Sequence, residues 1–176
     1  MNENKDALPR KVPTTGAKAR AKQMRGGDLA KKRAGYDFQA VFLSAPHERI
    51  AAIKRGVPAG HLHVLVQCMN TSKEFLVTML GLPRATLNRK IREQRLLSPV
   101  ESERVLGLDA LIGQAENMAM ESGSSTDFDA AQWLAGWLAS PLPALGNSKP
   151  AGYMDTVEGQ KLVCHLLALA QSGAYA

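Results

Sequence analysis

Apolar residues recur at three- and four-residue spacing along most of the chain from Phe38 onward, and no two-residue alternation of the strand type stands out. The pattern predicts an all-α protein. Phe38, Val41, Phe42 and Leu43 predict a short helix that ends at Ser44-Ala45-Pro46. A second helix is expected over 47–55, stopped by Gly56 and Pro58, and a third from 59 or 60 to 69, with Leu62, Leu65, Val66 and Met69 at helical spacing. Thr71 and Glu74 then have the spacing of a capping box, in which a hydroxyl accepts from a first-turn amide and a carboxylate reaches back. The helix they open carries Phe75, Leu76, Met79 and Leu80 as its stripe, and Gly81 breaks it. Pro83 is placed in the first turn of the next helix, 83–94, where a missing N–H is tolerated, with Leu87 and Ile91 on one side.

Ser98-Pro99-Val100-Glu101 supplies an N-cap, a proline at the first helical position and a glutamate at the third. The helix it opens runs to about Met120, with Val105, Leu108, Leu111, Ile112, Ala115 and Met118 apolar. Residues 121–127 read as a linker. Beyond it, Asp127 or Asp129 caps a helix carrying Trp133, Leu134, Trp137 and Leu138, which ends at Ser140-Pro141-Leu142-Pro143. Ser148-Lys149-Pro150 begins a short helix, and Thr156 caps a last one from Val157 to about Gln171. That last helix shows Leu162, Leu166 and Leu169, with Val163, Leu167 and Ala170, opposite Glu158, Lys161, His165 and Ser172.

Charge divides the chain further. Residues 1–33 hold ten Lys/Arg and three Asp/Glu, a net +7. Large apolar side chains are scarce there, so residues 1–35 are expected to be a disordered basic tail. Residues 84–95 hold five bases and one acid, a net +4, whereas residues 96–176 hold three bases and nine acids, a net −6. A basic segment attracts phosphate, and an acidic one suits a basic protein partner. The expected division is therefore tail 1–35, helical domain 36–121 and C-terminal module 127–176. Aromatic residues make up only 5% of the chain, so aliphatic side chains must fill the core.

Residues 71–94 have the form of a helix-turn-helix. A capped helix is followed by a tight glycine turn, which favours positive φ at Gly81, and by a second helix packed through Leu82, Leu87 and Ile91. Val77 stands where such motifs usually keep a small alanine. The second helix offers Arg84, Thr86, Asn88, Arg89 and Arg92 outward. Arginine pairs with a guanine edge or a phosphate and asparagine with an adenine edge, so these five are the candidate DNA-reading residues. The same pattern also fits a solvated basic surface helix.

Two stretches together carry a more specific likeness. One runs Thr71-Ser-Lys-Glu-Phe-Leu, then Leu80-Gly-Leu-Pro-Arg-Ala-Thr-Leu-Asn-Arg-Lys90, then Leu97-Ser-Pro-Val-Glu-Ser-Glu-Arg104. The other runs Trp133-Leu134, Pro143-Ala-Leu-Gly-Asn-Ser-Lys-Pro150, Met154-Asp-Thr-Val-Glu-Gly-Gln160, Val163, Leu166-Leu167 and Gly173-Ala-Tyr-Ala176. Over roughly residues 45–176 the chain resembles the Xre/MbcA/ParS-type antitoxin family with its C-terminal toxin-binding domain. The resemblance implies an antitoxin that sequesters a RES-domain, NAD-consuming toxin, forms a dimer and represses its own operon by binding operator DNA. The toxin contacts it implies are Leu145, Gly146, Lys149, Pro150, Asp155, Thr156, Glu158 and Gly159 and, at the C-terminus, Gly173, Tyr175 and Ala176. This chain has Gly152 and Tyr153 where leucine-like residues are usual and Gln160 where an arginine is common. Dimerisation is expected along the long 99–120 helix or beside it.

Other chemistry is thin. His61 and His63 do not share a helix face, so no metal site is expected of them. Cys68 and Cys164 are too few for a disulfide framework and read as buried thiols. No glycine-rich phosphate loop and no nucleophile elbow occurs, so neither catalysis nor a cofactor is expected. Residues 1–34 hold no apolar run of the signal-peptide kind, and no stretch approaches a bilayer span, so a cytoplasmic chain without membrane contact is expected. A helix-turn-helix regulator whose C-terminal segment senses a small ligand is the reading left beside the antitoxin.

Overall fold

A computed structural model describes residues 36–123 and 128–172, and among these the chain is helical, without named strands. The helices are α1 (Phe38–Leu43), α2 (Pro46–Arg55), α3 (His61–Cys68), α4 (Lys73–Met79), α5 (Arg84–Arg92), α6 (Pro99–Glu121), α7 (Ala130–Ala139) and α8 (Val157–Ser172). Two short 3-10 turns, Pro143–Leu145 and Pro150–Tyr153, lie between α7 and α8. The expected basic tail, 1–35, the second half of the expected linker, 124–127, and the C-terminal 173–176 lie outside the described residues.

Most start and stop signals act as the sequence suggests. Ser98 accepts from the Glu101 amide, Glu101 accepts from the Ser98 amide, and Pro99 opens α6. Asp129, rather than Asp127, caps α7. Thr156 accepts from the Gly159 amide at the start of α8. Two starts shift. Ser72, not Thr71, caps α4, accepting from the Phe75 amide at 3.0 Å. The cause is the end of α3: Asn70 is left-handed (φ 47), and the Thr71 amide is already bonded to the Val66 carbonyl. A left-handed asparagine is a common helix stop. The helix therefore starts one residue late, and Glu74 is not at the third position. Pro83 is the N-cap of α5, in extended conformation, rather than its first helical residue.

The long helix α6 is the centre of the molecule. Its residues Val105, Leu106, Leu108, Leu111, Ile112 and Ala115 are buried, and so are Glu101, Ser102 and Asp109. A helix covered on nearly all sides is a core helix rather than an amphipathic surface one. Helices α1, α2, α7 and α8 all pack against it. The only large apolar side chains that this helix exposes are Val100 and Met120, near its ends. One contiguous core joins Leu65, Leu76 and Leu87 of the first half with Leu134, Met154, Val163 and Leu167 of the last.

Buried polar groups on α6 have partners, as burial demands. The Val57 amide donates to Ser102 Oγ at 3.0 Å. Asp109 receives the Tyr36 hydroxyl at 2.7 Å and meets His61 Nε2 at 3.0 Å. The Tyr36 ring also lies 4.1 Å from the His61 ring. Burial first, then the charge and hydrogen bond of Asp109, push the Tyr36 phenol far above its ordinary value.

The apolar face of α8 also differs from expectation. Leu162 is 40% exposed, and the buried stripe runs through Gln160, Val163, Leu166 and Leu167. A glutamine can hold a core position here because its amide Nε2 donates to the Arg104 carbonyl at 3.0 Å and the Met154 carbonyl at 2.9 Å. The second bond satisfies a buried carbonyl at the end of the second 3-10 turn, and the first ties α8 to the backbone of α6.

Candidate nucleic-acid and protein-binding surfaces

Helices α4 and α5 form the helix-turn-helix. Gly81 has φ 58, the left-handed region, and the Leu82 amide closes the turn on the Val77 carbonyl at 2.9 Å. Leu76, Val77, Leu80, Leu82 and Leu87 are buried around it, so the larger Val77 is accommodated in the core.

Along α5, Arg84, Asn88, Arg89 and Arg92 are exposed together with Ala85, which at 100° per residue places them on one face. Thr86 is half-buried at the flank of that face and is not grouped with the four. Arg84 donates to Thr78 Oγ1 at 2.9 Å. Lys73 donates to Asn88 Oδ1 at 2.6 Å, adding a cation beside the face that the sequence alone did not single out. Its position in the first turn of a capped helix facing a basic one was the available signal. Glu93 lies between Arg92 and Arg95, at 3.7 and 3.6 Å. The fifth base of the segment, Lys90, turns inward and bonds Glu101 on α6. The net +4 of this stretch is thus not all presented to solvent. Burial disfavours the ionised Glu101 carboxylate, but the hydrogen bonds from Lys90 and Ser98 outweigh it and hold its pKa below the usual carboxylate range.

The last third of the chain presents a second surface. Leu142 and Ser148 pair across a tight loop in which Gly146 is left-handed. Gly146, Lys149, Asp155, Thr156 and Glu158 are exposed, and Leu145 is half-buried. Glu158 pairs with Lys161 at 3.1 Å. Two expected contact residues lie deeper than the others. Pro150 is buried, where it opens the second 3-10 turn. Gly159 is half-buried, and a Cβ there would stand 1.9 Å from the Tyr153 carbonyl oxygen, so glycine is needed for that close approach. Gly173, Tyr175 and Ala176 fall outside the described residues. Trp133 and Trp137 stack at 6.4 Å, half-buried, with Phe128 6.0 Å from Trp133.

The two surfaces meet at α6. Arg104 donates from Nη1 to the carbonyls of Leu80 and Gly81, at 3.3 and 2.9 Å, so it holds the helix-turn-helix turn. The carbonyl of the same residue receives Gln160 from α8. Neither Arg104 nor Gln160 was singled out as a site residue, because each works through a partner distant in sequence.

Among the described residues, no group of three or more His, Cys, Asp and Glu is placed to hold a metal ion. His61 is buried against Asp109, whereas His63 is exposed. Cys68 is buried and Cys164 half-buried; burial, opposed by the nearby Arg49 charge, pushes the Cys164 thiol up. No described helix is long and apolar enough to cross a membrane.

Residues 48–108 match the family described as the antitoxin Xre-like helix-turn-helix domain, and residues 128–173 match the antitoxin Xre/MbcA/ParS C-terminal toxin-binding domain. Among curated proteins, the Prs ADP-ribosylating antitoxin of Sphingobium sp. (strain YBL2) is 43% identical over 141 residues, which cover 80% of this chain and 89% of the relative.

Proposed function

This chain belongs to the Xre/MbcA/ParS antitoxin family, and we propose that it neutralises a RES-domain, NAD-consuming toxin and represses its own operon by binding operator DNA. Its membership makes it an antitoxin of a toxin-antitoxin system with a protein partner. The relative's name supports the finer identity of that partner. ADP-ribosylation draws its ADP-ribose from NAD, so a toxin with that chemistry consumes NAD.

The observation that carries the proposal is the pairing of two outward surfaces on one central helix. Arg84, Asn88, Arg89 and Arg92 face solvent together on α5, and Gly146, Lys149, Asp155, Thr156 and Glu158 face solvent within the toxin-binding domain. The first set suits a major groove, with arginines for guanine and phosphate and an asparagine for adenine. The second carries Asp155 and Glu158 in a segment of net negative charge, which suits a basic face on the toxin. Residues 36–121 read and position, and 127–176 grip; the chain acts by binding, without a cofactor or catalysis of its own, as a cytoplasmic homodimer.

Co-expression with the toxin encoded beside it tests the first half: growth is restored by the wild-type chain and lost with Asp155→Lys combined with Glu158→Lys. Titration of the operon's promoter duplex tests the second: the wild-type chain binds it more tightly than a scrambled duplex. Equal binding to both removes operator recognition.

A further inference from the structure

Lys90 has the composition of a DNA contact and the geometry of something else. It lies on the recognition helix α5 among four exposed neighbours that face solvent, yet its amine is turned away from them. Its side chain is 16% exposed and its ammonium bonds Glu101, whose side chain is 9% exposed. Glu101 is itself fixed, since it accepts the Ser98 amide at 2.6 Å in the capping box that starts α6. One helical turn along α6, Arg104 holds the carbonyls of Leu80 and Gly81 in the turn that precedes α5. Positions 101 and 104 are three apart and so share a face. Two points of α6 thus grip the reading unit, one at the turn before α5 and one near its far end. A helix held near both ends by charge-assisted hydrogen bonds has little freedom to rotate or slide.

Resting on the reading of α5 as an operator-binding helix, we propose that Glu101 and Arg104 are positioning residues that set the angle at which α5 meets DNA, and that Lys90 is the anchor of α5 to α6 rather than a phosphate ligand. The base-reading residues Arg84, Asn88 and Arg89 then depend on a pair that never touches DNA. Specific recognition needs reading groups held to a fraction of an ångström, whereas attraction of phosphate does not. Breaking the anchor therefore weakens operator binding while leaving non-specific binding and its salt dependence in place.

The experiment uses the full chain and two duplexes, one spanning its operon's promoter and one scrambled, titrated by fluorescence anisotropy over a range of salt. Lys90→Met is expected to weaken promoter binding about tenfold, the equivalent of one misplaced bidentate base contact. Binding to the scrambled duplex and the slope of log K against log salt are expected to stay at wild-type values. Arg92→Ala is the contrasting variant, expected to flatten that slope by about 0.9, one phosphate contact. Thermal melting of Lys90→Met, followed by circular dichroism, guards against a variant that merely unfolds. If Lys90→Met instead flattens the slope by one contact and weakens both duplexes alike, Lys90 is a phosphate ligand and the inference is wrong. A folded Lys90→Met chain that binds the promoter duplex as tightly as wild type also overturns it. A wild-type chain that does not prefer the promoter would overturn the operator reading instead, which is a separate result.

Discussion

Asp155 lies against Gly81: a Cβ built on Gly81 would stand 3.0 Å from the Asp155 Cβ. Gly81 is the turn of the helix-turn-helix, and Asp155 belongs to the exposed segment of the toxin-binding domain, so the two proposed surfaces share an edge. Gly81 is constrained twice, by its φ of 58 and by this contact. Gly81→Val is expected to lower stability by roughly 1–2 kcal/mol from the left-handed backbone alone, with more from crowding. Chemical denaturation measures the loss, and a variant as stable as wild type would contradict the described turn.

Gln160→Leu tests the joint between α8 and α6. The variant keeps apolar volume but removes the donor shared by the Arg104 and Met154 carbonyls. Leaving the buried Met154 carbonyl without that donor costs about 1–3 kcal/mol, read as a lower Tm, whereas an unchanged Tm would show the glutamine to be idle.

Tyr36→Phe removes the hydroxyl that Asp109 accepts at 2.7 Å while leaving the ring beside His61. The expected loss is about 1–3 kcal/mol, because the buried Asp109 carboxyl group loses a donor. Denaturant midpoints of the two chains make the comparison.

Acid should reveal the Glu101 anchor. Its pKa is lower in the folded chain than the ordinary 4.5, so its contribution to stability is fully present above about that pH. It is lost as pH falls further, through the folded value. The stability gap between wild type and Glu101→Gln should therefore be constant near neutral pH and shrink below 4.5. A gap that widens on acidification would mean the carboxylate is not favoured in the folded state.

Much of the architecture is legible in the sequence because its signals are local. Ser98-Pro99 and Thr156 each satisfy helix-start amides within three residues, and the structure uses them as such. The outward set on α5 is legible for the same reason, since exposure follows from a 3.6-residue period about Leu87. What the sequence hid depends on distant partners. Gln160 reads as a polar position, and only the Arg104 and Met154 carbonyls make it a core residue, which turned the α8 stripe away from Leu162. Lys90 reads as one more base until Glu101 is brought beside it. Pro150 reads as a surface proline until the 3-10 turn buries it. The position of Ser72 as cap required knowing that the Thr71 amide was already spent on α3.

Operator contacts on α5 should differ in kind. Arg89→Ala is expected to cost about 1–3 kcal/mol on the promoter duplex if it pairs with a base edge, with less effect on a scrambled one. Uniform weakening on both would reassign it to phosphate.

The most direct test of the account is inhibition of the neighbouring toxin by the purified chain, read as NAD consumed over time. The account predicts that NAD loss stops at a fixed stoichiometric ratio, and that the Asp155→Lys, Glu158→Lys chain fails to stop it while remaining folded. NAD consumption that continues unchanged at saturating wild-type chain would contradict it.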